Sequence, residues 1–93
     1  MSQYSTGTRV LEQVTAAVVL AAKWREDSDY TGGWVLVWGG LVQGWSDSIP
    51  PAHEWRPDTI IVDVDDDVYM AWGGTDQDGA KEWRLIKTPR ISS

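Results

Sequence analysis

The spacing of apolar residues along this 93-residue chain changes period once, from about 3.6 to 2, and the predicted elements follow from that change. In the first third, Val10, Leu11, Val14, Val18, Ala21 and Trp24 or Arg25 recur at helical intervals, which predicts an amphipathic helix over residues 8–26. Thr8 suits the N-cap, and Glu12 lies in the first turn, where the helix dipole favours an acid. Lys23 and Arg25 suit the C-terminal end. Residues 1–7 are polar and are expected to fray. Residues 16–22 are apolar on every side, so this stretch is either well covered or keeps a second face for a partner.

After "DSDYTGG" the period falls to two. Residues 34–45, "WVLVWGGLVQGW", read as a hairpin turned at Gly39-Gly40, a pair that tolerates positive φ. That register sets Trp38 opposite Leu41, Val37 opposite Val42 and Trp34 opposite Trp45. Trp34, Leu36, Trp38, Leu41, Gln43 and Trp45 then share one face, and Val35, Val37, Val42 and Gly44 the other. Residues 46–58 form a loop, because Pro50, Pro51 and Pro57 forbid regular pairing.

Residues 59–87 predict a three-stranded meander. A three-residue loop at Asp65-Asp66-Asp67 sets Val64 opposite Val68, Val62 opposite Met70 and Ile60 opposite Trp72. A two-residue turn at Asp78-Gly79 sets Trp72 opposite Leu85 and Trp83 opposite Gly74. Both turns place Ile60, Val62, Val64, Val68, Met70, Trp72, Trp83 and Leu85 on one core face. The predicted architecture is α+β: a single domain over residues 1–93, with the N-terminal helix packed on an antiparallel sheet of four to five strands.

Composition sharpens this picture in three ways. There is no cysteine, so the fold rests on packing without disulfides or thiolate chemistry. No segment approaches the roughly 20 apolar residues that span a bilayer, and the N-terminus lacks a secretory layout, so a cytoplasmic location is expected. Fourteen acidic residues against eight basic ones give a net charge of −6, which argues against direct nucleic-acid binding and for a partner with a basic surface.

Candidate chemistry is sparse. "DVDDD", residues 63–67, resembles the opening of a calcium loop, but an EF-hand needs Gly at its sixth position and Glu at its twelfth, where this chain has Val68 and Gly74. No metal site and no cofactor is therefore expected. His53 is the only histidine and has no positioned partner in the sequence; with no nucleotide-binding or hydrolase motif either, no enzymatic activity is expected. Between residues 58 and 82, acidic residues accumulate against the single base Lys81. The turns bearing Asp63, Asp65, Asp66 and Asp67 and those bearing Asp76 and Asp78 would lie at opposite ends of the meander, forming an elongated negative edge.

Seven tryptophans and no phenylalanine make Trp a core residue here, yet a domain this small cannot bury every indole. One or two of Trp34, Trp38, Trp45 and Trp55 are expected to stay partly exposed, with Trp55, between Glu54 and Arg56, in the least core-like setting. The expected partner-binding set is Asp63, Asp65, Asp66, Asp67, Asp76, Asp78, Trp38 and Trp55. A small, acidic, cysteine-free chain without motifs is similar in type to the small accessory proteins of bacteriophages and mobile elements, among them the anti-CRISPR proteins. That likeness implies an inhibitor of a larger, basic, nucleic-acid-handling protein. Two other readings stand beside it. One is a self-assembling subunit, such as a small virion component or a homodimer, joined through Val35, Val37, Ile61, Tyr69, Ala71 and Ile86. The other is a carbohydrate-binding module that stacks sugars on indoles beside glycines.

Overall fold

The computed structural model describes residues 5–65 and 67–86, with side chains from Glu12 onward. Helix α1 spans Ser5–Ser28, followed by strands β1 (Trp34–Trp38) and β2 (Leu41–Ser46), a short 3-10 turn at Ala52–Glu54, and strands β3 (Ile60–Val62), β4 (Val68–Trp72) and β5 (Glu82–Ile86). The five strands form one sheet in the order β2-β1-β3-β4-β5. Every neighbouring pair is antiparallel. The α+β architecture read from the sequence is the one observed. No helix among the described residues is long and apolar enough to cross a membrane.

α1 begins ahead of the expected cap, so Thr8 lies inside the helix, while residues 1–4 of the segment expected to fray lie outside the described residues. Its buried stripe is Val14, Ala17 and Ala21, spaced three and four apart, packed on Val35, Val37, Ile60, Val62, Val68 and Met70. Val18, Leu20 and Trp24 flank the contact. The side chains of Val10 and Leu11, expected on the same stripe, lie outside those described. Two alanines at the contact let the helix sit close to the sheet.

The helix ends at Asp29, whose φ of 61° is left-handed and whose N–H donates to the Arg25 carbonyl at 2.9 Å. The Arg25 side chain then reaches across to the sheet. Its guanidinium donates to the carbonyls of Gly32 (2.8 Å), Gly33 (2.9 Å) and Val62 (3.0 Å). One side chain thus ties the helix end to both the following loop and β3.

The first hairpin keeps the predicted turn, with Trp38 opposite Leu41 and Val37 opposite Val42, but a bulge follows. Val35 pairs with Trp45 and Trp34 with Ser46, so the expected Trp34–Trp45 pair does not form. One extra residue in β2 reverses the parity beyond it, which turns Trp45 to the helix side with Val42. There its ring meets Tyr30 edge-on (centroids 4.7 Å apart), and Tyr30 meets Trp24 in the same way (5.0 Å). The Trp45 Nε1–H donates to the Gly32 carbonyl at 2.8 Å.

The far face of the sheet is also covered. Leu36, Ile61 and Ala71 are fully buried without belonging to the helix-side core. The loop 47–59 crosses this face: Trp83 Nε1–H donates to the Pro50 carbonyl at 2.6 Å, and the Ala80 N–H donates to the Trp55 carbonyl at 2.9 Å. Gly79 presses on the His53 carbonyl, leaving no room for a Cβ. Val35, Val37, Ile61 and Ala71, expected to join copies of the chain, are thus already buried within one chain.

Both turns of the meander differ from expectation. β3 and β4 pair with Ile60 opposite Met70 and Val62 opposite Val68, a shift of two residues. An even shift preserves the faces, so Ile60, Val62, Val68 and Met70 remain core, while Val64 moves into the turn and is exposed. In β4–β5, Thr75 bridges Gly79, Trp72 pairs with Glu82 and Ala71 with Trp83. That shift is odd, so Trp83 and Leu85 turn to the far face and Trp72 is left at the margin, 42% exposed, under the Arg84 guanidinium at 4.9 Å. Of the seven tryptophans Trp72 alone is exposed. Trp72→Phe is therefore expected to remove the largest share of the fluorescence that iodide quenches, and Trp83→Phe little of it. Equal losses in the two variants would contradict this register.

Candidate functional site

Antiparallel order fixes where the expected site residues lie. The β3–β4 turn stands at the sheet end beside the start of β1; the β1–β2 and β4–β5 turns stand at the other end. Asp63, Asp65 and Asp67 therefore occupy one end, and Asp76, Asp78, Trp38 and Trp55 gather toward the other. Asp66 lies outside the described residues.

At the first end, Asp63 organises the turn. Its Oδ1 accepts the N–H groups of Asp65 and Asp67, both at 2.9 Å, and its own N–H donates to the Asp67 carbonyl. This is the Asx capping that makes Asp common in tight turns. Asp63 is half-buried, whereas Asp65 and Asp67 are exposed.

At the opposite end, the 75–79 turn is built by Thr75, whose Oγ1 accepts the Asp78 N–H at 3.0 Å, with Gly79 at φ 87°. Both side chains, Asp76 and Asp78, stand in solvent. Trp38 ends β1, and the Arg56 guanidinium lies over its ring, 4.1 Å from the centroid. Cation–π stacking of this kind contributes about 0.5–1 kcal/mol at exposed sites. Trp38 and Trp55 line one open depression of about 370 Å³ with Leu41, Gln43, Glu54 and Arg56. A second depression of about 280 Å³ lies between α1 and β1, shares Trp38 and Gly39 with the first, and adds the polar Gln13 and Asp58 to a mainly apolar lining. Asp58 holds a left-handed φ of 73°.

Of the expected set, the structure brings Trp38 and Trp55 together and sets Asp76 and Asp78 at the same end of the sheet. It separates them from Asp63, Asp65 and Asp67. Sequence reading missed Arg56, which covers Trp38, and Trp72, assigned to the core. Arg56 adjoins Trp55, yet nothing local says that it reaches back to an indole 18 residues earlier. Among the described residues no three His, Asp or Glu side chains come together as a metal would need. Comparison of the chain with family models, with curated proteins and with solved structures finds no match in any of the three.

Proposed function

We propose that the chain is a protein-binding module that docks on a basic surface of a larger, nucleic-acid-handling partner and inhibits it, acting by occupancy and not by catalysis. The observation that carries this reading is the pair of half-buried indoles, Trp38 and Trp55, around one open depression, at the same end of the sheet as the turn that holds the exposed Asp76 and Asp78. Indoles in partly desolvated sites dominate the energy of protein interfaces, and surrounding charge sets the rate of encounter. The depression is at the small end of the range for ligand pockets, a size that suits a partner's side chain. The second acidic turn lies at the other end of β4, whose five residues span roughly 17 Å at the strand rise. Two negative poles at that separation, on a chain of net charge −6, suit a surface built to track a phosphate backbone's own binding groove. For the carbohydrate reading, one ring face of Trp38 is already covered by Arg56.

Affinity capture from a bacterial lysate at low and high salt, run beside two variants, tests the reading. Asp76→Lys with Asp78→Lys is expected to weaken capture of the basic partner at least tenfold and to flatten its salt dependence. Trp55→Ala is expected to weaken it at every salt concentration. Capture of the same partner, equally well, by both variants would sink this surface as the docking site.

A further inference from the structure

The sheet ends on two edges, β2 and β5, and they are not alike. Edge strands present unpaired backbone groups that recruit other strands unless they are blunted. β2 is blunted: a bulge interrupts it at Gln43, and the Gln43 amide donates to the carbonyls of Trp38 and Leu41. β5 pairs with β4 in unbroken register over all five residues.

The hydrogen bonds say which β5 groups face outward. Ala71 exchanges its bonds with β3 and its approach, donating to Thr59 and accepting from Asp58, so the even-numbered residues of β4 are those that bond β5. The Trp72 carbonyl does face this way, accepting the N–H of Lys81 just ahead of β5, one residue out of step with the Trp72–Glu82 pairing. Glu82, Arg84 and Ile86 therefore bond inward, and the N–H and C=O of Trp83 and Leu85 point to the free edge. Ahead of β5 this alternation does not hold, and the Ala80 N–H is taken by the Trp55 carbonyl of the loop; within β5 the edge is open among the described residues. Leu85 is 53% exposed on this edge.

We infer that this edge is a self-association surface on which β5 of a second copy pairs antiparallel, joining two sheets of five strands into one of ten. One two-fold register uses both outward residues of both chains. It centres on Arg84 and exchanges hydrogen bonds between Trp83 and Leu85 of opposite copies, twice over. Each exposed Leu85 then lies directly across from an indole, a favourable cross-strand pair. The two Arg84 side chains face each other across the axis, and each brings its own carboxylate, since Arg84 Nε–H donates to Glu82 Oε2 at 2.7 Å. In the pair, each Glu82 becomes the diagonal neighbour of the other copy's Arg84, so the four charges alternate in sign around the axis. Along β5 and its approach Lys81 and Arg84 outnumber Glu82, which moderates the repulsion between two acidic chains on this strand.

Mass in solution over a concentration series tests this on the full chain. The wild type is expected to move from the mass of one chain to that of two. Leu85→Pro removes an N–H that makes no bond among the described residues, and Pro is tolerated at a strand edge. It is expected to leave the thermal transition in place and to weaken association at least tenfold. Arg84→Glu alone and Glu82→Arg alone are each expected to be monomeric. An equimolar mixture of the two is expected to form the mixed dimer, with the carboxylate introduced by Arg84→Glu in one copy facing the native Arg84 of the other. A monomeric wild type at every concentration overturns the proposal and leaves the edge to a strand of another protein. A dimer that Leu85→Pro does not disturb, or a mixture that fails to pair, overturns this strand or this register.

Discussion

Gly33→Ala is expected to lower the unfolding free energy by about 2–5 kcal/mol, a large part of the roughly 5–15 kcal/mol that holds a domain of this size. Two costs combine. Gly33 has a φ of 76°, a left-handed conformation that costs an L-residue roughly 1–2 kcal/mol. A Cβ there would also run into the Trp45 ring at Cζ2, far inside contact distance, and overpacking of a closed site adds roughly 1–3 kcal/mol. The ring has little freedom to yield, held by its bond to the Gly32 carbonyl and its edge contact with Tyr30. Urea titration should show a lower midpoint at unchanged slope. Gly32→Ala is the control: a Cβ at Gly32 meets nothing within 4 Å, so its effect should stay within about 1 kcal/mol. Similar losses at the two glycines would mean that Trp45 does not sit against this loop.

Arg25→Met is expected to cost about 2–4 kcal/mol. Three carbonyls lose a charged donor at once, and an unsatisfied, partly buried acceptor costs roughly 1–3 kcal/mol, with water recovering some of that at a half-buried site. Arg25→Lys should recover less than half, because an ammonium cannot reproduce a planar fork that serves two loop carbonyls and β3 together. Since its partners among the described residues are carbonyls, the loss should persist in about 1 M salt, where exposed ion pairs are screened within roughly 3 Å. A deficit that vanishes with added salt would place Arg25 in an ordinary surface charge pair.

The sequence made the fold legible because period survives small errors. Helical spacing located α1, and alternation located the strands and named Ile60, Val62, Val68 and Met70 as core despite a turn misplaced by two residues. Faces were lost only where parity changed. In β2 the cause is the bulge at Gln43, which has no signal stronger than the neighbouring Gly44. In β4–β5 it is the Thr75 cap and the press of Gly79 on His53, a contact 26 residues apart in sequence that outweighs the local preference of Asp78-Gly79 for a two-residue turn. The indoles of Trp38 and Trp55 became neighbours only once β1 was inserted between β2 and β3, and composition carries no trace of that order.

The reach of Arg25 to Val62 also sets a clock for synthesis. The helix is made first, but its anchor in β3 is 37 residues further along. At about 5–20 residues per second the ribosome needs roughly 2–7 s to supply it. During that interval the stripe of Val14, Ala17 and Ala21 has only the β1–β2 hairpin to rest on and lacks Ile60, Val62, Val68 and Met70, so the helix-side core closes only after β3 and β4 have been made.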